Sequence, residues 1–142
     1  MVSLKDIDNI KSNLKEDIIE IEIKSATRAT VTIKSDAIVK AADYLFNKLK
    51  LRFIIASALD TKRGFEIYYH FSNDSTGLVV NLHVILPKAK PEIESLTVKF
   101  EAANWIEREM HELFGINFLN HPNLEKLISE GNWAEGVYPY RN

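Results

Sequence analysis

Six consecutive residues of this 142-residue chain, Glu107 to Glu112, hold four charged side chains and a histidine, followed directly by Leu113, Phe114 and Gly115. Ala103, Ile106, Met110 and Leu113 recur at three and four residues, so the cluster rides on a helix predicted over 99–114, with Gly115 suited to a left-handed closing position. On that helix Glu107 and His111 lie four apart and could reach one metal ion. The zinc-protease pattern H-E-x-x-H fails, because its second histidine would fall on Gly115. The E-x-x-H pattern of di-iron bundles would need an acid where Arg108 stands. Acid–base catalysis by Glu107, Glu109 or Glu112 is not favoured either, since Arg108 beside them should hold the carboxylates ionised. Glu101, Trp105, Arg108 and Glu112 fall on one helix face and read as an ion-pair strip. In water such an arginine contributes about 0–1 kcal/mol, whereas a buried partner carboxylate left alone costs about 3–5 kcal/mol.

The rest of the chain offers little other chemistry. Ser57 and Ser72 sit in no nucleophile elbow, the five glycines never cluster into a phosphate loop, and His70 and His83 fall within strands. There is no cysteine, which excludes disulfides, thiolate metal sites and a resident iron–sulfur cluster of the usual kind. A net charge of −2 gives no basic stripe for nucleic acid. The start has no signal-peptide pattern, and no window approaches the roughly 20 apolar residues that span a bilayer. A cytoplasmic location, with membrane contact only through partners, is the expectation.

The elements that position the cluster follow from periodicity. Leu4, Ile7, Ile10 and Leu14 define a first helix, and Asp36 opens a second carrying Ile38, Ala41, Ala42, Leu45 and Leu49. Between them, Ile19, Ile21 and Ile23, then Ala29, Val31 and Ile33, alternate with polar residues as two strands. "RFIIASAL", "FEIYYHF" and "LVVNLHVIL" have the spacing of an antiparallel meander. The predicted order αββαβββα is an α+β domain of two layers, helices packed on a mostly antiparallel sheet, over residues 1–115. Residues 116–142 read as an irregular C-terminal arm, with one short helix begun by Pro122. Trp133, Val137, Tyr138 and Tyr140 make it too aromatic for simple disorder. Two readings stand open on composition: an arm that binds a partner, or one folded back on its own sheet.

"ERE" with an acid two residues on, then Leu113-Phe114-Gly115, His121-Pro122 and the closing "GVYPYR" together resemble the 30 kDa subunit family of respiratory complex I. Relatives of that family occur in energy-converting membrane-bound [NiFe] hydrogenases. The resemblance runs from the turn at Asp60 through "PEIESLT" to Arg141. It departs at Glu112 (usually Asp), Asn120 (usually Gly), Glu125 (usually basic) and Tyr140 (commonly Leu). It implies a noncatalytic structural subunit that binds no cofactor itself. Its implied partners are a large subunit bearing the [NiFe] or quinone site and neighbouring iron–sulfur subunits, peripheral on the cytoplasmic side of the cell membrane. The implied interface is Trp105, Glu107, Arg108, Glu109, Glu112, His121, Pro122, Trp133, Tyr138, Pro139, Tyr140 and Arg141. Against this stand a small independent enzyme with a Glu107/His111 metal site and a stand-alone binding module.

Overall fold

The structure, a computed structural model, describes residues 4–122. Three helices, α1 (Leu4–Asn13), α2 (Ile38–Asp43) and α3 (Ala103–Phe114), share one core with a five-stranded sheet. The strands are β1 (Ile18–Ser25), β2 (Arg28–Ile33), β3 (Arg52–Thr61), β4 (Gly64–Asn73) and β5 (Leu78–Leu86), in the order β1-β2-β5-β4-β3. As the alternation predicts, β1–β2 is an antiparallel hairpin and β3-β4-β5 an antiparallel meander; the joint between the two units, β2–β5, is parallel. This is the predicted α+β class, with two further short strands that pair parallel to each other, β6 (Glu92–Glu94) and β7 (Asn117–Leu119).

One face of the sheet builds the core. Phe65, Ile67, Tyr69 and Phe71 of β4 and Val80, Leu82 and Val84 of β5 are all buried there, against Ile7 and Ile10 of α1, Ile38 and Ala41 of α2, and Met110 of α3. Phe100, stacked on Phe53 at 4.8 Å and tilted against Phe46 at 5.3 Å, closes the end of the core where the chain enters α3. The helix begins at Ala103 and not at 99, because Leu96–Val98 forms a tight 3-10 turn capped by Ser95. Gly115 ends it at φ 77°, as expected, its N–H donating to His111 O at 2.8 Å.

Two expectations shift. A bulge between Ile18 and Glu20 slips the register of β1, so Ile18 turns to the core side and Ile19, expected there, is 64% exposed. The domain also runs past 115: Ile116 and Phe118 are buried, and β7 pairs with β6. Ser95 N–H donates to Leu119 O at 2.9 Å, tying this ribbon to the turn before α3.

Candidate functional site

α3 crosses the core with Ala103, Glu107, Met110 and Phe114 on its inner face. A carboxylate in that row is the feature the sequence did not reveal. Glu107 is 1% exposed; its Oε1 accepts from Ser95 Oγ at 2.6 Å and its Oε2 from Leu96 N–H at 2.8 Å. It thus pins the turn before the helix to the helix itself, and both its oxygens are used inside the domain. Its pKa is raised to about 7, because burial penalises the charged form more than the Leu96 and Ser95 hydrogen bonds favour it. The expectation that Arg108 would keep it ionised is therefore corrected. Residues 107 and 108 point to different sides of the helix, and no ion pair joins them among the described residues.

His121 comes back to the same spot. Its Nε2 lies 3.0 Å from Asn104 O, to which it donates, and 3.9 Å from Glu107 Oε1, with the side chain wholly buried. Asn120, just before it, takes φ 64°, and its amide donates to Glu94 at 2.9 Å. The left-handed backbone explains the glycine usual at this position in the resembled family, and asparagine is the residue that tolerates it next best. Deep in the core, the Tyr69 hydroxyl has no hydrogen-bond partner among the described residues. Burial foremost, then the charge of Glu107, pushes its pKa well above the usual tyrosine range.

The outer side of α3 is different. Trp105 is 53% exposed, and Arg108 and Glu109 are half-buried. Arg108 Nε is buried with no hydrogen-bond partner, and its guanidinium forms no ion pair among the described residues. Glu112 is buried at 4% exposure, so the strip predicted as Glu101, Trp105, Arg108 and Glu112 is not a continuous solvated row. Pro122 is exposed; Trp133, Tyr138, Pro139, Tyr140 and Arg141, with the short helix expected after Pro122, lie outside the described residues.

His111 does not share a ligand site with Glu107. Its Nδ1 faces Ile116 O at 2.9 Å, and no group of three or more His, Cys, Asp or Glu among the described residues is arranged to hold a metal. The two strand histidines form cross-strand polar rows on the sheet face away from the core. His83 bridges Glu66 Oε1 at 2.6 Å and Thr32 Oγ1 at 2.8 Å, and His70 bridges Asn81 at 2.6 Å and Ser57 at 3.3 Å. Burial raises the Glu66 pKa, but hydrogen bonds from Thr61, Arg63 and His83 outweigh it and hold the carboxyl below its usual range. An ionised carboxylate only accepts, so His83 Nε2 donates to Glu66. The hydroxyl–imidazole–carboxylate order is that of a hydrolase triad. Thr32 lies mid-strand, however, paired with both Glu20 and His83, so the ladders consume the backbone N–H groups an oxyanion would need. The row is a cross-strand lock that the alternation of β4 and β5 could have suggested.

The domain is of the two-layer α+β class, its charged helix half structural lock and half exposed surface. The chain belongs to the family described as "Respiratory-chain NADH dehydrogenase, 30 Kd subunit", whose model matches residues 31–142. It is 33% identical over 138 residues to a subunit of the F(420)H(2) dehydrogenase of Methanosarcina mazei, covering 95% of this chain and 87% of that one. It is 31% identical over 109 residues to a subunit of the NADH-quinone oxidoreductase of Citrifermentans bemidjiense, covering 74% of this chain and 68% of that one. Among solved structures, a chain of the membrane-bound sulfane sulfur reductase, an archaeal respiratory membrane complex, shares the fold with a TM-score of 0.78 at 22% identity, over 96% of this chain and 84% of that one.

Proposed function

We propose that the chain is a noncatalytic structural and assembly subunit in the peripheral arm of a complex I-like membrane-bound oxidoreductase, docked on that complex's large catalytic subunit. The complex is of the energy-converting [NiFe] hydrogenase kind or the NADH or other donor:quinone kind. Family membership and the named relatives, both subunits of respiratory-type dehydrogenases, support the setting. The observation that carries the docking is Arg108: a cation whose Nε is buried and, among the described residues, unpartnered, beside an exposed Trp105, on the side of α3 away from the core. The large subunit supplies the carboxylate that completes it. The arm after Pro122 continues the same contact. Redox groups sit in the partner subunits, and the chain meets the membrane through them, on its cytoplasmic side.

The test is Arg108→Ala in the full chain co-produced with the large subunit. The isolated variant should keep its stability within about 0.5 kcal/mol, as surface changes do. Co-purification should fall, because a buried partner charge left alone costs about 2–5 kcal/mol. Unchanged recovery of the large subunit removes the docking role of α3.

A further inference from the structure

The sheet stops at β3, short of the helix above it. Among the described residues β3 pairs with β4 alone, so one row of its backbone N–H and C=O groups points away from the described sheet. α3 packs over this margin and leaves an open groove of roughly 330 Å³, walled by Ala56 and Ala58 of the strand and by Trp105, Ile106 and Leu113 of the helix, with Glu109 as its charged lining group. Ala56 and Ala58 stand opposite the buried Tyr69 and Ile67, on the core side of the sheet, and their methyl groups are too short to fill the space beneath the helix. Ile106 and Leu113 stay partly uncovered as a result. The sheet is one strand too narrow for the apolar stripe of α3.

The two margins differ in what accompanies their apolar residues: β1, the other edge, exposes Ile19 and Ile23 but sets Glu20, Glu22 and Lys24 among them. β3 presents Ile54, Ile55 and Leu59, at 41%, 49% and 51% exposure, and has neither lysine nor proline between Phe53 and Leu59.

We propose that the β3 margin receives an extended segment of a partner protein, which adds beside β3 as a sixth strand and fills the groove under α3 with alternate apolar side chains. The proposal rests on the docking role above and states where and how the partner adds. An unpaired ladder accepts an extended chain, and the two-residue spacing of Ala56 and Ala58 asks for side chains at every second position of the segment. Glu109 on the rim asks for a lysine or arginine in it. A second copy of this chain would bring a second Glu109 and a second α3 to the same joint, so the occupant is an unlike chain.

Hydrogen exchange of the full chain, alone and assembled with the co-produced large subunit, tests this. Those amides of 52–61 that point away from β4 should slow at least tenfold on assembly. Ala58→Leu plugs the groove and should weaken assembly at least tenfold while the isolated chain melts as wild type; should it melt lower, Leu59→Lys, at an exposed edge position, gives the same reading. An intact complex with unchanged exchange at 52–61, or with Ala58→Leu assembling normally, overturns the edge proposal and leaves the Arg108 contact standing. No complex with the wild-type chain overturns both. Slow exchange already present in the isolated chain, lost on dilution or on ending the chain at residue 122, overturns it in favour of a second copy or of the chain's own arm.

Discussion

Glu107 shows how one side chain can be read from sequence as surface and serve in the fold as a bolt. Its folded pKa of about 7 lies above the ordinary carboxyl value of 4.5, so the native state holds a proton that the unfolded chain has released across that window. Stability from this group is therefore full below about pH 4.5 and is lost as pH rises to about 7, at about 1.36 kcal/mol per unit, roughly 3.4 kcal/mol at most. His121 and Tyr69 are titratable side chains facing it, and Asp74 and Glu66, both held below the usual range, act at lower pH. Denaturant unfolding between pH 5 and 8 should show wild type losing stability, and Glu107→Gln, which keeps the Leu96 bond, should be flatter; parallel slopes would show that Glu107 titrates as an ordinary acid. Asn120 makes a second residue-scale case. Because its φ is 64°, Asn120→Val should cost about 1–2 kcal/mol, whereas Asn120→Gly should stay within about 0.5 kcal/mol of wild type. Equal stabilities of the two variants would remove the backbone argument.

The β3–β4 hairpin carries the clearest prediction among the elements. Gly64 has φ 140°, and a Cβ there would stand 2.2 Å from the carbonyl oxygen of Leu86 on β5. Gly64→Ala must then displace backbone, and about 2–4 kcal/mol of destabilisation is expected in thermal or denaturant unfolding. The hairpin itself is legible in the sequence, as are β1–β2, the meander and all three helices, since each buries one face and so writes its period into the order of residues. What is not legible has a common cause. β6 and β7 are three residues each, too short to show a period, and they pair parallel across the length of α3. The bulge that expels Ile19 leaves the alternation of isoleucines intact on paper. Glu107 escapes a reading by periodicity because its burial depends on Ser95 and Leu96, twelve and eleven residues away, and a helical wheel gives no notice of them. The same wheel does put Arg108 and Trp105 on the outer face, where the structure has them.

At the scale of the whole molecule, no helix among the described residues is long and apolar enough to cross a membrane. Zinc and iron analysis of the purified full chain should return well under one equivalent of either; a stoichiometric metal would revive the independent-enzyme reading built on Glu107 and His111. The parallel joint between β2 and β5 has a consequence for how the chain is made. β2 ends at Ile33 and β5 starts at Leu78, so the hairpin at the amino end must wait for more than forty further residues to leave the ribosome before its inner strand finds a neighbour. Pairing across so long a stretch is slow, and a strand left bare meanwhile is prone to stick to other nascent chains. Synthesis of this subunit should therefore lean on chaperones that shield the hairpin until the meander arrives.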